Sequence, residues 1–369
     1  MTRSLRPAAL IASAAIAFGS IMAAGSVNAD SRADWVNGVD VSHHQDTGSN
    51  AIEWNSVRGD NHRFAIIKAT EGTDYTDDAY AKFAQGALDA GMTVGAYHYA
   101  RPANDPVAQA DNFANVLNTG PATTLPPVLD LEVDEGLSPE QLREWTRTFL
   151  TEVENKTGRR PMMYTYRYFW LEQMGNTDEF ADYPLWLAAY QNKAPGPVGG
   201  WDKVDIWQRS ESGRVAGINT PVDLNLFNGN QGQWVRFVAG DHNAAGGLLE
   251  QLQDKDIDSG IADSLAVLEQ SNSALAAAIL GLASGALSPQ HVEGAAQTFG
   301  FDAGDAQNIA DTARRQVENG TLPVDDLNKM MVGNDYSVGD LLILLDNANK
   351  QGAGSVSYTH LRAHETDSY

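Results

Sequence analysis

The sequence predicts an α/β fold: an irregular TIM-like (β/α) barrel of about five β/α units plus three further strands, followed by a small all-α domain. Three observations predict it. Eight short apolar runs recur between Asn37 and Phe227, and helical patterns separate the first five. Such alternation implies parallel strands with helical crossovers, and eight of them imply closure. After the fifth run the connections carry Pro and Gly instead of long helical patterns, so the later strands should be plainer. Past residue 240 the composition changes: all eight tryptophans lie between Trp35 and Trp234, and from Asp241 to Gly354 the only aromatics are Phe299, Phe301 and Tyr336.

In chain order, the first residues belong to neither unit. Arg3 and Arg6 precede an apolar stretch from Ala8 to Ala24, and Val27-x-Ala29 suits signal cleavage. Residues 1–29 are therefore expected to be a signal peptide, giving a secreted, extracellular protein with no stable membrane insertion. An uncleaved anchor is the alternative; no other stretch is long and apolar enough to span a bilayer.

The strand candidates are "GVDVSHH", "FAIIKAT", "TVGAYHYA", "PPVLDLEV", "PMMYTYR", "LWLAAY", "VDIWQRS" and "VDLNLF". Between them, "DDAYAKFAQGALDAG" puts Tyr80, Phe83, Ala87 and Leu88 on one helical face before the stop at Gly91. "DPVAQADNFANVL" behaves likewise. "SPEQLREWTRTFLTEVENKTG" opens with Ser138 as N-cap, Pro139 at the first helical position and Gln141 at N3. "RYFWLEQMG" is a brief helix. The barrel domain is placed at 30–240 and an acidic helical domain at 241–354. In the latter, Ile261, Leu265, Leu268, Leu275, Ile279 and Leu282 keep near-heptad spacing, and "SPQHVEGAAQTFG" has a Ser-Pro start and a Gly stop. From about Val356, "VSYTHLRAHET" resembles a translated sequencing-library adapter, so 355–369 is set aside as a non-native tail.

Charge and composition exclude several functions. The formal net charge is −23; residues 30–240 carry 29 acids and 17 bases, residues 241–354 carry 17 acids and 5 bases, so each region stands at −12. With no Lys/Arg cluster, nucleic acid is not expected as a partner. The absence of cysteine removes disulfides, a Cys nucleophile and Cys-ligated metal. No cofactor is expected. His43, His44 and His98 near Asp40 raise a metal site, but neighbouring residues of a strand point to opposite faces, and no metal is expected.

The chemistry concentrates at strand ends. In barrels of this kind catalytic residues sit where strands end. Asp40 lies near the end of the first run, Asp130 and Glu132 near the end of the fourth, and Asp223 in the eighth, next to the first on closure. Two carboxylates at alternate strand positions share one face, which is costly unless something compensates or uses them. Aromatics occur at the same ends: Tyr97, Tyr99, Tyr166, Trp186, Tyr190 and Trp207 are expected as substrate contacts, a flat apolar face with a polar edge suiting a sugar ring. Acids plus aromatics describe a carbohydrate cleft.

"GVDVSHHQ", "FAIIKATEG", "VGAYHYARP", "LPPVLDLE", "TGRRPMMYT", "PLWLAAY", "DIWQRS" and "VDLNLF" resemble, in order, the motifs of glycoside hydrolase family 25, the Chalaropsis-type lysozymes, over residues 36–229. The resemblance implies hydrolysis of the β-1,4 bond between N-acetylmuramic acid and N-acetylglucosamine, with peptidoglycan glycan strands as partner. It maps the family's acids onto Asp40, Asp130, Glu132 and Asp223, with Glu132 as proton donor. Arg209 stands where an aromatic is common, which touches one groove contact. Because Asp130 and Glu132 share a face, they cannot flank a sugar in the usual way, and the expected mechanism is substrate-assisted, with Asp130 orienting the 2-acetamido group. Two other readings remain: a hydrolase of chitin-like polymers, and a non-catalytic wall-binding protein. The helical region lies outside the resemblance, and a protein partner is expected for 241–354.

Overall fold

The computed structural model describes residues 35–48, 52–255, 257, 270–332 and 336–352. The expected signal peptide, the tail, and Ile261, Leu265 and Leu268 lie outside the described residues. The strands are β1 (Asn37–Val41), β2 (His62–Glu71), β3 (Tyr75–Thr76), β4 (Thr93–Tyr99), β5 (Val128–Asp130), β6 (Met162–Tyr166), β7 (Leu185–Ala188), β8 (Ile206–Gly213) and β9 (Val222–Phe227). They run in the order β1-β9-β8-β7-β6-β5-β4-β2-β3, and β1 also pairs with β2, which closes eight strands into a barrel. The ninth strand, β3, was not expected; it is a two-residue hairpin partner at the end of β2. Helices α1 (Trp54–Gly59), α2 (Tyr80–Asp89), α3 (Pro106–Thr119), α4 (Pro139–Thr157) and α5 (Arg167–Glu172) supply the five β/α units. Ser138 and Gln141 form the expected capping box of α4, and Gly158 ends it with φ 67°.

Strand direction is not uniform. β1, β2 and β4 to β8 are parallel, but β9 is antiparallel to both its neighbours. Only residues 214–221 join β8 to β9, too short for a crossover that needs about a dozen residues. The reversal brings the start of β9, with Asp223, to the rim formed by the ends of the others.

Register divides the strand residues between the barrel interior and the outer layer. At the bottom Gly38 lets the Phe64 ring cross the interior, since a Cβ there would fall 2.3 Å from it. Phe64 packs against Trp234 of α6 (Gln231–Val238), 4.8 Å between centroids with the rings tilted by 30°, and this end is filled with apolar atoms. Outside, buried Trp145, Phe149 and Phe113 join α3 and α4 to the sheet.

His98 belongs to this outer layer. Gln109 donates its Nε2 to the Arg101 and Asn104 carbonyls, so its Oε1 is the acceptor for the Arg101 amide and for His98 Nε2–H at 3.0 Å. Nδ1 is then left to accept from the Thr70 hydroxyl at 2.8 Å. Full burial lowers the imidazole from 6.5 to about 4, against the pull of Gln109.

After α7 (Leu249–Leu252) the chain forms α8 (Ser273–Ala283), α9 (Pro289–Phe299), α10 (Ala303–Asn319), α11 (Val324–Val332) and α12 (Val338–Gly352). Ser288 and Gly300 bound α9 as expected. This region is not a detached unit. Tyr168 of α5 donates to Asp326 of α11 at 2.9 Å, and the Tyr336 ring packs edge-on to Tyr168 at 4.9 Å. No described helix is long and apolar enough to cross a membrane.

His98 yields a stability prediction. Below pH 6.5 the unfolded imidazole takes up its proton first, so stability is lost as pH falls towards 4, by about 3 kcal/mol from this residue. Urea midpoints measured from pH 7 to 4 should fall less steeply in His98→Leu than in the native chain.

Candidate active site

Asp40 of β1 and Asp223 of β9 are direct partners across the antiparallel ladder. Asp40 is buried, 6% exposed, and lies in a cradle of two side-chain amides. Gln208 Nε2 of β8 donates to both its carboxylate oxygens at 3.1 and 3.2 Å, and Asn225 Nδ2 of β9 donates to Oδ2 at 2.6 Å. The amides are held in turn. Tyr164 and Tyr190 hydroxyls donate to Gln208 Oε1 at 2.8 and 3.1 Å, and the Trp186 indole donates to Asn225 Oδ1 at 2.8 Å. A side-chain hydrogen bond joins Asp40 to Asp223. Burial pushes the Asp40 carboxyl above the ordinary range, although the Asn225, Gln208 and Asp223 hydrogen bonds pull it down; the charge of Glu132 adds to the rise.

The second acid pair stands on another side of the mouth. β5 ends at Asp130, level with Tyr99 and Tyr164, so the strand is shorter than its apolar run. Glu132 lies two residues beyond the strand. The backbone is tied there by Leu131 N–H to the Tyr164 carbonyl at 3.0 Å and by Ala100 N–H to the Asp130 carbonyl at 2.9 Å. Both carboxylates are 6% exposed. Asp130, Asp40 and Asp223 all act on the Tyr97 phenol, and Asp223, Glu132 and Asp40 act on Tyr190. The four acids thus share one mouth.

The expected substrate aromatics divide into three kinds. Trp207 is displaced from that role: it alternates with Gln208, faces the outer layer, is fully buried, and donates to the Ala189 carbonyl at 2.7 Å. Trp186 and Tyr190 face the interior, but their polar edges hold the amide cradle. Tyr97, Tyr99 and Tyr166 remain at the mouth. Tyr97 is half-buried, and Tyr99 lies between Lys68 and Arg101, each 5.1 Å from its ring centre. Burial, then the neighbouring acids, hold the protons of Tyr97, Tyr164, Tyr166 and Tyr190 far above the usual phenol range, so these hydroxyls stay donors.

The cations at the rim are tied up by acids. Lys68 pairs with Glu71 at 2.6 Å, and Arg101 with Glu71 at 2.5 Å and Glu135 at 3.2 Å. His43 Nδ1 meets buried Asp77 at 2.7 Å. Among the described residues no group of three His, Cys, Asp or Glu could hold a metal ion.

Gln208 and Asn225 were missed by sequence reasoning. The period-two pattern offers a signal for Asn225, which follows Asp223 by two residues in "VDLNLF" and must share its face. Gln208 has no comparable local signal. Asn347 of α12, which donates to Glu132 Oε2 at 3.1 Å, was missed as well; it is 215 residues away in sequence.

The sequence profile of the glycosyl hydrolases family 25 matches residues 39–218. Lysozyme M1 of Streptomyces globisporus is 40% identical over 207 residues, 53% of this chain and 68% of that protein. An N,O-diacetylmuramidase of Arthroderma benhamiae is 33% identical over 237 residues, 61% of this chain and 96% of that protein. Among solved structures, a bacterial lysozyme from Streptomyces coelicolor aligns with TM-score 0.51 and 38% identity, covering 57% of this chain and 98% of its own.

The cradle can be tested on its own. Asn225→Leu removes the closest donor to Asp40 and the acceptor of the Trp186 indole. The Asp40 carboxyl should titrate higher still, read by carbon-13 NMR of labelled aspartate, and urea denaturation should show a loss of about 1–3 kcal/mol.

Proposed function

The chain belongs to the glycosyl hydrolases of family 25, and from that premise we propose that it is a secreted muramidase, cleaving the β-1,4 bond between N-acetylmuramic acid and N-acetylglucosamine in peptidoglycan. Residues 30–240 form its catalytic domain, and residues 1–29 direct export. The observation that carries this reading is the meeting of buried Asp130, Glu132 and Asp40 with half-buried Asp223 at one mouth.

Glu132 gives its proton to the glycosidic oxygen as the bond from C1 breaks. Asp130 orients the 2-acetamido group, whose oxygen attacks C1 and closes a five-membered oxazolinium ring; the carboxylate opposes its positive charge. Water then adds to C1 from the vacated side, its proton passes to Glu132, and the acetamido group reopens with configuration retained. Asp40 fits no base in this scheme. Its carboxylate oxygens are already taken up by the Gln208 and Asn225 amides and by Asp223, and this cradle fixes the wall opposite the acid.

Purified peptidoglycan treated with the native chain, reduced with borohydride and analysed by mass spectrometry should show reduced muramic acid ends. Glu132→Gln should lower their yield about 10²–10⁴-fold. Glucosamine at the new reducing ends would move the substrate class to chitin-like polymers, and no product from any wall type would overturn an enzymatic role. Proton NMR of the fresh product should show the β anomer; the α anomer would sink the substrate-assisted route and make Asp40 or Asp223 a water-activating base.

A further inference from the structure

Helix α12 lies across the mouth that holds the four acids. Its sequence from Leu341 to Leu345, "LLILL", is buried all round, as are Val338, Asp340, Asn347 and Ala348. A helix that only capped the C-terminal bundle would keep a polar outer face. From Val338 to Leu345 α12 has none, because it is covered by the bundle on one side and the barrel rim on the other.

Its seat on the rim is specific. Asn347, 2% exposed, donates its amide to Glu132 Oε2 at 3.1 Å and hydrogen-bonds the Tyr166 hydroxyl. Gly339 passes so close to the chain leaving β7 that a Cβ would stand 2.6 Å from the Tyr190 carbonyl oxygen. Ser337 caps the helix through the Asp340 amide at 3.2 Å, while Asp340 accepts from the Ser337 amide at 2.9 Å. Tyr336 hydrogen-bonds Glu172, and Lys329 stands 3.8 Å from the same carboxylate.

A general acid must come within hydrogen-bond reach of the leaving oxygen. Glu132 Oε2 already accepts from Asn347, and Tyr166 and Tyr190 at the same mouth are under α12. A sugar cannot take those positions while the helix is seated. We propose that α12 is an intramolecular plug of the substrate groove: the resting chain is autoinhibited, and glycan enters only when the helix leaves. This rests on the muramidase reading for the identity of the glycan. It also gives residues 270–352 a partner within the chain.

If only molecules with α12 unseated bind glycan, the apparent affinity is reduced by the open fraction. Freeing the helix should then lower KM and leave kcat unchanged. In the full-length chain, Gly339→Leu forces a side chain against the Tyr190 carbonyl, and Asn347→Asp sets a carboxylate against Glu132. Each should abolish the hydrogen-exchange protection of the α12 amides and lower KM for soluble glycan strands about 10-fold or more, with product formation abolished when Glu132→Gln is added. Unseated helices with unchanged KM would overturn the plug. A fall in kcat would overturn it too, by making α12 part of the working site. Retained protection in both variants would overturn the contacts as the seat. Unseated helices with no product from any chain would instead overturn the muramidase reading, and the plug's substrate with it.

Discussion

The mouth of the barrel depends on the direction of β9. Running against β8 and β1, it sets Asp223 beside Asp40 and places Asn225 two residues deeper on the same face, where its amide reaches the Asp40 carboxylate. A parallel β9 would carry both residues to the opposite end, where Phe64 and Trp234 fill the barrel. Asp40 would then be a buried acid without its nearest donor, and Trp186 would lose its acceptor. One short connection therefore decides whether the acids form a site.

That connection could have been read from the chain. Residues 214–221 are too few for a crossover, so the antiparallel step follows from counting. The parallel strands, four of the five helices and the capping box of α4 were legible because period-two and period-3.6 patterns and Ser-Pro or Gly boundaries are local signals. Asp40, Asp130, Glu132 and Asp223 were singled out for a related reason: charge within an apolar run is conspicuous. Gln208 was not, since a neutral amide in a strand carries no mark of what it will meet.

The aromatics show the limit of such reasoning. Strand parity gives a side-chain face, but not whether a ring ends at the surface or beneath it. Trp207 could have been assigned to the outer layer once Gln208 was known to face inward. Trp186 and Tyr190 face the right way, yet their N–H and O–H groups are used within the protein, aiming the amides that hold Asp40. Their contribution is positional: they fix which end of each amide meets the carboxylate, so that donors and not carbonyls face the charge.

The contact between α12 and the mouth poses an electrostatic problem. The two regions each carry −12, so bringing them together is opposed over any distance that salt does not screen. The residues at the contact resolve it locally. Asn347 offers a neutral donor to Glu132; Leu341 to Leu345 supply apolar area; and Lys329 meets Glu172 at the edge. Short-range burial therefore holds the helix against a long-range repulsion that favours separation. An interface with that balance closes over the acids without the permanence of a core, because the repulsion persists after the apolar contacts are lost and carries the regions apart. In the proposed plug, the acidic composition of the two regions is the opening force on the site.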